Sequence, residues 1–248
     1  MDVLLALTES DVRARYGRGP WRLFKWLVEP FAVTGIYLLF VLFVLNRSGP
    51  ALGLSLACAI IPFQLVMMSV TNGLGAIHSR ASVILNMSFE RSLLPISAVM
   101  TEAVAFCASF GLLGLMMVAY GIAPTAATLW LPLVVAVTIV FSIACAYAAS
   151  LISLWLPDVR PFAVSLFRAL FFLSPGLVAL PAIGGDANFV IRANPLSGLF
   201  EAFRATLVYG HPPAAWMLLV PMAAAGVLLL VCVPVYRREE GHFANVLG

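Results

Sequence analysis

Hydrophobic residues run along this chain in long blocks, and the polar residues between them fall in a few short clusters. Glu29 and Arg47 bracket residues 30–46, residues 48–77 carry no charge, and residues 103–157 are 55 consecutive uncharged positions. Residues 205–236 contain only His211. A helix crosses ~30 Å of hydrocarbon with ~20 apolar residues, so the longest block predicts two helices and a turn. The ten-residue apolar/polar alternation of a transmembrane barrel is absent. Backbone groups in lipid must be paired within the chain, which leaves helices.

Six spans follow, at about 30–45, 52–73, 95–119, 129–154, 162–180 and 214–235. Asn46–Pro50 ends the first, Gly121 and Pro124 mark the turn after the third, and Leu156–Pro161 is a tight polar connection. Ser174-Pro175-Gly176 predicts a kink in the fifth. The expected fold is an all-α integral membrane protein with one domain over 1–248. It divides into a cytoplasmic segment 1–29, a six-helix membrane part 30–235 and a cytoplasmic tail 236–248. No linker, low-complexity tract or internal repeat breaks it.

Composition sharpens the picture. The chain is 62% hydrophobic and 10% charged, against about 45–50% and 25% in soluble domains. This excludes a water-soluble enzyme, which needs polar residues to cover its surface, and excludes intrinsic disorder. With the N-terminus inside, Arg13, Arg15, Arg18, Arg22, Lys25, Arg80, Arg91, Arg160, Arg237 and Arg238 face the cytoplasm. Arg47, Arg192 and Arg204 face out, so both termini are expected to be cytoplasmic in a multi-pass inner-membrane protein. The first fifteen residues carry Asp2, Glu9 and Asp11 and no apolar core before a small-residue site, which predicts no cleaved signal peptide.

The net charge of +3 fits attraction to anionic membrane lipid and not nucleic acid, because no basic surface with stacking aromatics stands outside the spans. Cys58, Cys107, Cys145 and Cys232 all lie in apolar blocks without C-x-x-C spacing, and read as packing residues. No metal site or catalytic constellation is visible. There is no G-x-x-x-x-G-K-[ST] phosphate loop, and Lys25 is the only lysine. If the chain transports, its energy comes from another subunit.

Four pieces outside the spans carry candidate chemistry. In the N-terminal segment Leu4, Leu5, Leu7 and Val12 alternate with Glu9, Asp11, Arg13 and Arg15, predicting an amphipathic helix in the cytoplasmic interface. It leads into Tyr16-Gly17-Arg18-Gly19-Pro20-Trp21-Arg22 and Lys25. Two readings fit these cations: ordinary positive-inside anchoring, or a site meeting a lipid diphosphate. In the second, glycines allow close backbone approach and Arg13, Arg15 and Arg18 offer bidentate forks. Residues 76–94, with His78, Arg80, Phe89, Glu90 and Arg91, are too long for a tight turn and too polar to span, and fit either a loop or a short helix shown to the cytoplasm. Between 182 and 213, Asn194-Pro195 reads as an N-cap with proline at the first helical position. Leu196, Leu199, Phe200, Phe203 and Leu207 follow at helical spacing, and Glu201 and Arg204 are placed to pair. An amphipathic helix thus precedes the last span on the outer face, lying on the membrane or re-entering it, as packing or as a gate. The fourth piece, Tyr236–Glu240, reads as a stop signal and solvated end.

Two charges fall inside spans, Glu102 and Arg168, each about seven residues past the inner start of its span. At ~1.5 Å per residue both lie roughly 10 Å deep, where charge is costly without a partner or a wet cavity. Equal depth permits a pair, a packing salt bridge or a lining role in a polar path. Tyr37 and Phe40 on the first span and Phe167 and Phe171 on the fifth are candidate linings for such a path, or packing residues.

Six motifs, in order, resemble the permease subunits of ABC-2 type polysaccharide exporters, which move O-antigen, capsule, teichoic acid and galactan chains. Arg15-Tyr16 stands fourteen residues before Pro30, and Phe89-Glu90-Arg91-Ser92-Leu93-Leu94-Pro95 precedes the third span. Leu156-Pro157-Asp158-Val159-Arg160 joins spans four and five, and Ser174-Pro175 closes the fifth. Asn194-Pro195-Leu196-Ser197-Gly198-Leu199 is followed by Arg204, and Glu240-Gly241-His242-Phe243-Ala244 forms the tail. Glu90 stands where the family usually has proline, and Gly19-Pro20-Trp21 replaces a more usual Ser-x-Leu-Gly. The resemblance implies a homodimeric permease with two copies of a separate ATPase subunit that binds ATP and magnesium, this chain binding no cofactor. It implies a coupling helix within 76–94, a periplasmic gate helix at 194–209, and an N-terminal helix flanking entry of a lipid-linked (polyprenyl diphosphate) polysaccharide. The alternative is a drug or lipid efflux permease of the same type.

Overall fold

The computed structural model describes residues 2–16, 28, 32–44, 51–80, 90–180 and 188–240. Regular structure among them is helical throughout. In chain order the helices are α1 (Asp2–Tyr16), α2 (Ala32–Phe43, whose last turn widens into a π-helical Phe40–Val44), α3 (Leu52–Gly75) and α4 (Leu93–Ala119). They continue with α5 (Leu131–Trp155), α6 (Arg160–Phe172), α7 (Asn188–Ala193), α8 (Pro195–Leu207) and α9 (Ala215–Glu239). A 3-10 turn, Ala126–Trp130, leads directly into α5.

Four of these helices are apolar and long enough to cross a membrane: α3, α4, α5 with its leading turn, and α9. The shortest has 24 residues, or ~36 Å at 1.5 Å per residue. The chain is therefore a multi-pass helical membrane protein. Its middle is α3, packed against α4, α5 and α8. Lipid tails are as apolar as leucine, so helices in a bilayer associate through close backbone approach at small residues. Gly73 shows this: a Cβ there would stand 2.7 Å from the Ala146 carbonyl oxygen of α5.

Polar contacts fasten the two ends of the bundle. At the arginine-rich end, Ser153 Oγ donates to the Leu74 carbonyl at 2.6 Å and Arg160 donates to both groups, placing a cation on the C-terminus of α3. Glu240 Oε1 accepts from Ser92 N at 2.7 Å, setting a carboxylate on the N-terminus of α4. Tyr147 Oη donates to Ser92 O at 2.6 Å. At the far end, Thr125 reaches the Gly210 carbonyl, and Gly121 and Gly210 take positive φ (68° each), the left-handed region open to glycine.

One expectation changes. The segment 162–180 is not one continuous helix. α6 has 13 residues and stops at Phe172, because Ser174 Oγ donates back to Phe171 O at 2.7 Å and Pro175 has no N–H to continue the ladder. The expected kink is a helix end. The N-terminal helix, expected as an amphipathic helix in the cytoplasmic interface, is present as α1 and packs along α4, with Val12 buried against Ala105 and Ala108. Ala105 stands ~18 Å along α4 from Leu93, so α1 climbs the side of the bundle. Of the first expected span, Ala32–Phe43 is described as a helix, and residues 30, 31 and 45 lie outside the described residues.

Candidate functional site

The helix before the last long span begins as its sequence dictates. Asn194 sits at φ −74° and ψ 120°, and its Oδ1 accepts from Leu196 N at 3.0 Å while Pro195 takes the first turn. The same side chain ties α8 to α6, with Nδ2 donating to Leu170 O at 3.2 Å. The expectation of one apolar and one exposed face is then overturned, because every residue from Leu196 to Leu207 is buried. Small residues make this possible on the side away from the leucines. A Cβ on Gly198 would stand 2.7 Å from Met217 O of α9, and Ser197, Ala202 and Ala205 add little bulk. Thr206 turns its hydroxyl back onto Ala202 O.

Burial forces Glu201 and Arg204 to satisfy each other, since a buried charge is tolerated only when paired and hydrogen-bonded. Glu201 is 3% exposed and Arg204 0%. Arg204 Nη1 donates to Glu201 Oε1 at 2.8 Å and also to Pro175 O, and Nη2 donates to Gly176 O at 3.0 Å. Nε is shared at 3.0 Å between the carbonyl and hydroxyl of Ser55 near the start of α3. Glu201 Oε1 accepts in addition from Leu180 N at 3.0 Å. One ion pair therefore joins α8, the first turn of α3 and the segment after α6. The anticipated Glu201–Arg204 pair is present, in a protein interior and not on a surface.

Aromatic rings pack against α8 through Phe200 and Phe203. Phe200 lies 5.8 Å from Phe171 between ring centres, and Phe171 also meets Phe63 at 4.5 Å and Tyr37 at 5.7 Å. Phe203 stands 6.2 Å from both Phe106 and Phe110. Phe171, at 1% exposure, belongs to the core of this chain. Tyr37 and Phe167 are half-buried, while Phe40 and Arg168 face outwards. Glu102 takes Asn72 as its partner, with Asn72 Nδ2 donating at 2.7 Å, whereas Arg168 stands on the exposed face of α6. Matched depth alone did not bring those two charges together.

At the arginine-rich end, Arg13 is exposed and bonded to Glu9 one helical turn earlier. Arg15 and Tyr16 close α1, and Arg18, Lys25 and Phe89 lie outside the described residues. His78–Arg80 forms a 3-10 turn. Arg80 reaches Asp11 of α1 and donates to Ser97 Oγ of α4 at 2.5 Å, and burial holds its pKa below the ordinary arginine value, with Tyr236 opposing. Glu90 is exposed. Arg91 is half-buried and donates to the Glu240 carbonyl. Sequence reasoning missed Ser55, Asn72, Asp11 and Glu240 as partners of these charges. Asn72 had a detectable signal, an amide placed late in an otherwise apolar block.

The chain is thus a multi-pass bundle with an inserted helix riveted by an internal ion pair. The chain is similar to the O-antigen export system permease protein RfbA of Myxococcus xanthus, 27% identical over 246 residues that cover 98% of this chain and 94% of that protein. It is also similar to two O-antigen export system permease proteins RfbA of Klebsiella pneumoniae. Each is 23% identical over 247 residues, covering 99% of this chain and 95% of the relative. No protein-family model matches the sequence. The resemblance to polysaccharide export permeases extends over nearly the whole chain and is not confined to six short motifs.

Proposed function

We propose that this chain is the permease subunit of an ATP-driven ABC exporter that carries a lipid-linked polysaccharide of the O-antigen type across the inner membrane. The observation that carries the reading is near-end-to-end similarity to three O-antigen export permeases. The permease acts as a homodimer with two separate ATPase subunits that bind and hydrolyse ATP, and itself holds no cofactor. Six membrane crossings put both termini in the cytoplasm, with the longer apolar segments 30–45 and 162–180, which contain α2 and α6, supplying the two crossings beyond the four long helices. The basic segment after α1 receives the lipid diphosphate, and α8 shapes the periplasmic end of the path.

Residues 76–94 dock into the ATPase as the coupling segment. Its two ends are held by different elements, which supports the assignment: Arg80 engages Asp11 of α1, and Arg91 and Ser92 engage Glu240 at the end of α9. A push on this segment therefore reaches α1, α4 and α9 together. Because Arg91 is committed inside the chain, exposed Glu90 is the better docking probe. Glu90→Lys is expected to reduce ATPase co-purification while the permease still assembles.

The decisive experiment is depletion of the protein followed by analysis of lipid-linked saccharide. Finished or growing polymer should accumulate on its lipid carrier inside the cell while surface polymer falls. Unchanged surface polymer after full depletion rejects the exporter reading.

A further inference from the structure

Helix α3 ends at Gly75, and the chain that leaves it is the root of residues 76–94. The last carbonyls of a helix have no partner within it, and here the Leu74 carbonyl meets two donors. Ser153 Oγ of α5 donates to it at 2.6 Å, and Arg160 Nη2 donates to the same oxygen. Arg160 Nε also donates to Ser153 Oγ at 3.2 Å, so the three groups close a ring. Leu74 and Ser153 are 3% and 2% exposed, which keeps water from competing for these contacts.

Capping α3 needs only one of the two donors, and Ser153 supplies it. The guanidinium does something else. Arg160 is the first residue of α6, where the dipole of its own helix disfavours a cation. Its charge is placed instead for the C-terminus of α3, 86 residues away in sequence. It thereby joins α6 to the point where residues 76–94 begin. That point is firm: Ala76 and Ile77 are 3% and 2% exposed and pack with Tyr147, Leu151 and Leu154 of α5. A displacement of residues 76–94 meets buried side chains at its root and not a loose joint.

The other end of the link is free to respond. Of the 13 residues of α6 only Ala163 and Phe171 are buried, so packing within this chain fixes it at few points along its length. Beyond its outer end, Arg204 grips the Pro175 and Gly176 carbonyls and reaches Ser55 in the first turn of α3. Arg160 and Arg204 thus fasten the two ends of the α6 segment to opposite ends of α3, ~28 Å apart.

We propose that Arg160 is a positioning residue for ATP-driven export, tying the root of the docking segment to α6 so that movement imposed by the ATPase is delivered to α6 and along it to the α8 ion pair. This role rests on the exporter reading with residues 76–94 as the docking segment, and adds a route through α6 to the contacts with α1, α4 and α9. Methionine at this position keeps an unbranched apolar stem and removes both hydrogen bonds. Lysine restores a cation that can donate to the Leu74 carbonyl, without the fork.

The test uses the assembled transporter, permease with its ATPase subunit. ATP hydrolysis is measured in lipid nanodiscs, and export is followed in cells by pulse-labelled surface polymer. Arg160→Met should keep subunit stoichiometry, hold ATP hydrolysis within about twofold and lower export about tenfold. Arg160→Lys should recover part of the export. Ser153→Ala, which leaves the Arg160–Leu74 contact in place, should lower export less than Arg160→Met does. Undiminished export in Arg160→Met, a proportional fall of hydrolysis and export, or equal losses in Ser153→Ala and Arg160→Met overturns the proposal. If Arg160→Met does not assemble, Arg160→Lys decides: lowered export per ATP hydrolysed supports the link, and an unchanged ratio overturns it. Unchanged surface polymer after depletion sinks the exporter reading itself, whereas a positive depletion experiment with an unaltered ratio in the Arg160 variants sinks only this link.

Discussion

Replacing Arg204 by leucine should be among the most damaging single changes in this chain. The guanidinium, at 0% exposure, makes five hydrogen bonds to four residues on three segments. Hydrogen bonds inside membrane proteins average about 0.6 kcal/mol, so five supply about 3 kcal/mol. The larger effect is what remains: Glu201, 3% exposed, keeps its charge with Leu180 N donating to it, and stranding one member of a buried pair costs about 3–5 kcal/mol. The two routes agree on a loss of about 3–5 kcal/mol. Lysine in place of Arg204 should recover only part of it, because one ammonium cannot reach Ser55 on one side and Gly176 on the other. The double variant Glu201→Leu with Arg204→Leu removes both charges, and should be less damaging than the two single losses combined by about 2 kcal/mol or more. Equilibrium unfolding in mixed micelles, read as a double-mutant cycle, measures each quantity. A cost below about 1 kcal/mol for Arg204→Leu, or strict additivity in the cycle, would refute the argument.

Gly198→Val should destabilise by about 1–3 kcal/mol through collision with Met217 O and Pro221, whereas Gly114→Ala, which meets nothing within 4 Å, should stay within about 0.5 kcal/mol; the same unfolding assay compares them. Glu240→Ala removes the acceptor of Ser92 N and should cost about 1 kcal/mol. Hydrogen exchange at residues 92–94 should quicken, and unaltered exchange there argues against the trans cap. Arg15→Ala combined with Arg18→Ala should lower surface polymer several-fold with assembly intact, and normal export in that variant removes the diphosphate reading.

The long helices were legible because uninterrupted apolar blocks leave the chain one way to satisfy its backbone in lipid. The spans read at 52–73, 95–119, 129–154 and 214–235 correspond to α3, α4, α5 and α9 within a few residues. The Asn194-Pro195 start of α8 was equally plain, since its chemistry is local. Its enclosure was not. Periodicity marks the face that must be covered and says nothing of the opposite face, which here is hidden by Gly198 meeting α9 and by Arg204 reaching Ser55, 149 residues away. Glu102 was noticed for its charge, and a cation on another span was sought for it; Asn72, which also donates to it, is a neutral amide whose only mark is its place late in an apolar block.

The enclosed α8 also constrains the order in which the polypeptide is built. Thirteen residues are too few to cross the hydrocarbon core, and an arginine offered to lipid on a central helix costs about 2.5–3.5 kcal/mol. The segment gains its place only once Ser55 and the Pro175–Gly176 carbonyls are there to receive it. Biogenesis therefore proceeds from a scaffold made by the earlier helices, onto which α8 settles as a late keystone, with α9 closing behind it.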